Sequence, residues 1–133
     1  MVNILIVDDD KKIRDVIERI LKNEFNCYIR VANNAKNGLD IFNNKGADIV
    51  FFDYLYMGGA DGINLLFDMR RKDPKCILVM MSGFLQTMDD VKEKGLGITP
   101  HEFLHKPFQK SDLIRIITTY FDSLKYEKPK KTD

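Results

Sequence analysis

Three kinds of side chain in this sequence could do chemistry together: the carboxylates of Asp8, Asp9 and Asp53, the hydroxyl of Ser82 and the amine of Lys106. Each closes a short apolar run, at 2–7, 49–52, 77–81 and 103–104 respectively. Carboxylates gathered at one place repel one another, and their ionised forms become tolerable when a hard cation sits among them. Magnesium fits that logic, because it takes few protein oxygens, keeps several waters and also binds a phosphoryl oxygen. Lysine adds a compact charge that can neutralise a second phosphoryl oxygen, and a serine hydroxyl can hydrogen-bond a third. The set suits a tetrahedral anion, with Asp53 the best nucleophile, since an acyl phosphate there would face both Lys106 and Ser82.

Those residues meet only if the runs are strands of one sheet. Residues 2–7 read as a strand, and Ile13, Val16, Ile17, Ile20 and Leu21 follow at helical spacing. Residues 27–32 are β-branched and aromatic enough for a second strand, after which Asn33-Asn34 starts a helix with Ala35, Leu39 and Phe42 on one face. A third strand covers 49–52, and a helix over 62–71 carries Ile63, Leu66 and Met69 until Asp73-Pro74 stops it. The fourth strand covers 77–81, a weakly periodic helix 88–94 closes near Gly95 and Gly97, and Phe103-Leu104 makes a short fifth strand. Ser111 is expected to cap the last helix, whose Leu113, Ile116, Ile117, Tyr120 and Leu124 form a core stripe that Ile114 and Phe121 widen. The alternation predicts an α/β fold: a five-stranded parallel sheet, doubly wound and flavodoxin-like, of order 2-1-3-4-5, with function at the strand C-termini.

The composition bounds the rest. With 133 residues, 44% hydrophobic and 31% charged, one domain over 1–125 is expected, with 126–133 a disordered tail or a truncated linker. A net charge of +1 gives no field toward nucleic acid or an anionic membrane. Met1-Val2-Asn3-Ile4 lacks a basic leader, and the apolar runs fall far short of the roughly 20 residues that span a bilayer. Cys27 and Cys76 sit in apolar segments without metal-type spacing and read as buried thiols, so a cytoplasmic location is expected. His101 and His105 have no partner ligands in spacing and read as surface residues.

Several strings carry a resemblance in order and spacing: 4–10 with Arg14, 47–53, Asp61-Gly62, Met81-Ser82-Gly83, and 103–108. Over nearly its whole length the chain resembles the receiver domains of response regulators in two-component signalling. The resemblance implies that Asp9 and Asp53 bind Mg²⁺ directly together with the Leu55 backbone carbonyl, and that Asp8 acts through a metal-bound water. It implies that Asp53 takes its phosphoryl group from a sensor histidine kinase or a phosphotransfer protein, making the chain a phosphoacceptor switch, not an enzyme with turnover. Ser82 and Phe103 would be the switch pair, although Phe103 reads nearly as well as a core aromatic. The Lys106-Pro107 bond would be cis. Output would pass through the fourth helix, fifth strand and last helix to an output domain, a target protein or a second copy. Leu55 and Phe84 would flank the phosphoryl group and, being apolar, slow its hydrolysis.

Two segments depart from the family pattern. The stretch Tyr56-Met57-Gly58-Gly59-Ala60-Asp61-Gly62 lacks the usual proline and brings Asp-Gly one residue late, so a longer loop is expected there. Residues 94–101 also differ from the usual Gly-Ala-Asp pattern. A competing reading is a phosphohydrolase similar to the haloacid dehalogenase family, with Asp8 as nucleophile of an Asp8-x-Asp10 motif. Against it, Lys11 follows where that family favours Thr or Val, and no acidic pair follows Lys106 on a later strand. A third reading is a receiver that has lost phosphorylation and only docks a partner.

Overall fold

The computed structural model describes residues 1–54, 61–83, 89, 98–120 and 124. Five parallel strands, β1 (Val2–Val7), β2 (Cys27–Ala32), β3 (Ile49–Asp53), β4 (Ile77–Ser82) and β5 (Glu102–His105), form one sheet of order β2-β1-β3-β4-β5. Among the described residues the helices are α1 (Lys11–Glu24), α2 (Ala35–Lys45), α3 (Asp61–Lys72) and α4 (Lys110–Thr119). The expected helix at 88–94 lies, apart from Asp89, outside the described residues, as does the tail 126–133.

A parallel sheet covered on both faces needs apolar side chains on both, so its strands read as continuous rather than alternating runs. Along β1, Leu5 and Val7 join Phe52 and Leu66 in the core on the α2–α3 side, while Ile4 and Ile6 join Ile17 and Phe51 on the other. That second layer is completed by Leu113, Ile116 and Ile117 of α4, and Leu124 is buried with them as the stripe requires.

Capping fixes where the helices begin. Asp10 caps α1, its side chain accepting from the Lys12 amide at 2.9 Å. The acidic triplet therefore divides, two carboxylates for the sheet end and one for the helix. Asn34 caps α2 by accepting from the Asn37 amide, and Gly46 closes it at φ 69°. The last helix departs from expectation: it is capped at Gln109, and Ser111 lies inside its first turn. The Asp112 carboxylate accepts from the Gln109 amide at 2.8 Å, and a carboxylate at this third helical position serves the exposed N–H groups better than the Ser111 hydroxyl.

His101 is not the surface residue expected. It is half-buried ahead of β5, where its Nδ1 accepts from the Leu78 amide at 3.0 Å and its own amide donates to the Leu78 carbonyl at 2.8 Å. Burial, then Arg70, lowers its pKa, against an opposing pull from Glu102. Cys76 is buried as expected, whereas Cys27 is only half-buried. Among the described residues, no helix is long and apolar enough to cross a membrane.

Candidate functional site

The chain leaves β1 toward β2 on one side and returns to place β3 on the other, so a crevice opens beyond the C-terminal ends of β1 and β3. Val7 is paired with Phe52 across that boundary, which sets Asp8 and Asp53 side by side one step further on. Carboxylate oxygens of Asp8, Asp9 and Asp53 lie within 4.8 Å of one another. Asp8 is fully buried, Asp53 nearly so and Asp9 exposed.

Lys106 closes the site from the far edge of the sheet. Its amide donates to the Ser82 carbonyl at 2.8 Å, and its Nζ lies 2.7 Å from Asp8 Oδ2 and 3.3 Å from Asp53 Oδ1. The peptide bond to Pro107 is cis, as the resemblance implies. Ser82 is buried at the end of β4, one residue past Met81, the partner of Asp53 in the ladder. Phe103 is half-buried in β5 beside Met80, packed against the core on the α2–α3 side. Leu55 and Phe84 lie outside the described residues, so the backbone carbonyl and the two flanking side chains assigned to them are not placed.

Asp8 is held at three points. Its Oδ1 accepts from the Asp10 amide at 2.9 Å, its Oδ2 from Lys106, and its backbone carbonyl from Arg14 Nη1 at 2.8 Å. Arg14 stands one turn into α1, so the helix that Asp10 caps also anchors the turn bearing the acids. The sequence displays Arg14 without its role; only an arginine in the first turn after an acidic strand end hints at it.

The electrostatics are those of a crowded anionic site in low dielectric. Burial, reinforced by the Asp8 carboxylate, pushes Asp53 up to about 6. Burial raises Asp8 as well, against the stabilising hydrogen bond from Lys106. For Lys106 burial works to lower the pKa, but its bonds to Asp8 and Asp53 outweigh it and the net shift is upward. Lysine thus stays charged while Asp8 and Asp53 resist full ionisation, leaving a deficit of positive charge that a divalent cation would fill. The hard oxygen donors are of the kind that Mg²⁺ takes.

The sequence profile of the response regulator receiver domain matches residues 4–118. The cell cycle response regulator CtrA of Brucella ovis is 31% identical over 112 residues, which is 84% of this chain and 46% of that protein. The chain thus spans about half the length of the curated relatives it matches. The crystal structure of the receiver domain of NtrX from Brucella abortus aligns with a TM-score of 0.76 at 29% identity, covering 93% of this chain and 99% of that one. A CheY-like receiver domain protein from Methanospirillum hungatei gives a TM-score of 0.81 at 26% identity, over 94% and 97% of the two chains. With the profile reaching into every described strand and the fold agreeing in strand order, this chain belongs to the response regulator receiver domains of two-component systems.

Proposed function

We propose that this receiver is a phosphorylation switch in which Asp53 accepts a phosphoryl group from a phosphohistidine on a sensor kinase or phosphotransfer protein. The observation that carries the proposal is the convergence of Asp8, Asp9 and Asp53 within 4.8 Å of one another, with the Lys106 ammonium paired to Asp8 and Asp53. An Asp53 carboxylate oxygen attacks phosphorus, the O–P bond forms as the N–P bond breaks, and the imidazole leaves with the electron pair. Lys106, already 3.3 Å from Asp53 Oδ1, neutralises one phosphoryl oxygen, and the Ser82 hydroxyl at the neighbouring strand end hydrogen-bonds another.

Asp9 and Asp53, with the Leu55 backbone carbonyl, are the residues that would hold Mg²⁺ directly, and Asp8 would act through a bound water. Magnesium there supplies neutralisation of the phosphoryl charge. Phosphorylation then draws Ser82 and Phe103 into a new arrangement that changes the face of β5 and α4 for an output domain, a target protein or a second copy. Residues 1–125 act as one unit, in the cytoplasm, without contacting nucleic acid or membrane.

The phosphohydrolase reading with Asp8 as nucleophile is not favoured. Asp8 has no exposed surface and both of its oxygens are engaged, one by Lys106 and one by the Asp10 amide. Treatment with a small acyl phosphodonor and Mg²⁺, followed by mass-spectrometric mapping, tests the assignment: modification at Asp53 is expected, and modification at Asp8 would overturn it.

A further inference from the structure

Gly62 stands in the first turn of α3, where glycine is a poor helix former and no left-handed backbone angle calls for it. Space calls for it instead. A Cβ built there would lie 2.6 Å from Tyr54 Cα and 2.8 Å from the Asp53 carbonyl oxygen, and would press still harder on the Tyr54 carbonyl oxygen. These are backbone atoms of the phosphoacceptor and its successor, and they cannot swing aside as a side-chain tip can.

Neither partner in this contact is loose. The Tyr54 amide donates to the Met81 carbonyl at 2.8 Å, which pins the chain just past Asp53 to β4, and the Tyr54 side chain is buried. On the other side α3 is fastened by Leu65, Leu66 and Met69, all buried in the core under the sheet. A methyl group inserted between them must displace one or the other. Moving α3 repacks three core side chains, whereas moving Tyr54 strains one backbone hydrogen bond and one buried side chain, so the backbone after Asp53 gives first.

We propose that Gly62 is a positioning residue for the phosphoacceptor: by letting α3 rest directly on the Asp53–Tyr54 backbone, it sets where the Asp53 carboxylate stands relative to Asp8, Asp9 and Lys106. The role rests on the functional reading given above for that site. Gly38 provides an internal comparison, for a Cβ there would meet Val7 Cγ2 and Cγ1 at 2.8 and 2.9 Å. That contact is less close, and although Val7 precedes Asp8 it falls on side-chain methyl groups that pack in the core on the α2–α3 side, not on backbone.

The test compares Gly62→Ala, Gly38→Ala and the parent by chemical unfolding, by Mn²⁺ binding and by the rate of phosphoryl uptake from a small acyl phosphodonor. Both variants are expected to lose stability. Only Gly62→Ala is expected to lose Mn²⁺ affinity and uptake rate, by about tenfold or more, as sub-ångström misplacement of reacting groups does. Equal losses of affinity and rate in both variants, or none in Gly62→Ala, would overturn the positioning role while leaving the functional reading intact. A parent chain that neither binds Mn²⁺ nor takes up phosphoryl overturns that reading and this role with it. Should Gly62→Ala fail to fold, amide chemical shifts of the parent decide. Mn²⁺ is paramagnetic, so Mg²⁺ is used there: the Gly62 amide is expected to shift together with that of Tyr54 while Gly38 stays, and a Gly62 amide unmoved beside a shifting Tyr54 overturns the role.

Discussion

Lys106 and Asp8 form the shortest ion pair of the site, 2.7 Å from Nζ to Oδ2, while Asp53 Oδ1 stands off at 3.3 Å. In the unphosphorylated chain the lysine thus belongs chiefly to the buried acid and only secondarily to the phosphoacceptor. It is a tethered cation between the two acids, and on the function proposed above a phosphoryl group on Asp53 would have to draw it off Asp8.

Replacing that cation exposes its two roles. Lys106→Met leaves the Asp8 carboxylate buried beside two other acids with its strongest partner gone, and should lower metal-free stability by about 1–3 kcal/mol. Added Mg²⁺ should restore much of this and bind at least as tightly as in the parent. Thermal unfolding with and without Mg²⁺ checks both expectations. In the phosphorylated form Lys106→Ala should fail to reproduce the chemical-shift changes of the parent; identical changes would mean that another group reads the phosphate.

Arg14 should matter for metal binding although it offers no metal ligand. Its guanidinium holds the Asp8 carbonyl at 2.8 Å, so Arg14→Met frees the turn that carries Asp8 and Asp9. Groups that orient ligands from behind are worth roughly tenfold or more in metal affinity, and calorimetric titration with Mg²⁺ should show a loss of that order. An unchanged affinity would make the contact merely structural.

A pH dependence follows from His101. Its imidazole is held neutral by burial and by Arg70, so its folded pKa lies below the ordinary 6.5. Between the two values the unfolded chain binds the extra proton, and stability falls as pH drops below about 6.5 toward the folded value. Above 6.5 the contribution is fully present. His101→Asn keeps an acceptor for the Leu78 amide but does not titrate. Denaturant unfolding from pH 7.5 to 5 should therefore show the parent losing stability faster than the variant, and parallel curves would contradict the assignment.

The central strands β1, β3 and β4 were legible because each is almost continuously apolar and is closed by a turn or a polar residue, while β2 and β5 showed only as short β-branched or aromatic runs; the strand order followed from alternation with helices. Asp8, Asp9, Asp53 and Lys106 were legible for the same reason, since the strand ends of such a sheet have one place to meet. What sequence could not carry were contacts made by backbone groups. Nothing in the string says that the Leu78 amide would find its acceptor in His101, that the Asp8 carbonyl would take Arg14, or that α3 would lie against the Tyr54 backbone at Gly62. The misplaced cap at Ser111 has a similar cause: three neighbouring polar residues could each start the helix, and the reciprocal bond between Asp112 and Gln109 decides among them. Lysine was expected to face Asp53; it reaches both acids, and the fully buried Asp8 holds it more closely.

Whether Asp53 is the phosphoacceptor is decided by intact-mass measurement of phosphoryl uptake. The parent chain and Asp53→Asn are incubated with a small acyl phosphodonor, with Mg²⁺ and again after chelation. One phosphoryl group is expected on the parent with Mg²⁺, far less after chelation and none on Asp53→Asn, whose far-ultraviolet circular dichroism should match the parent. Equal incorporation in Asp53→Asn and the parent would contradict the account.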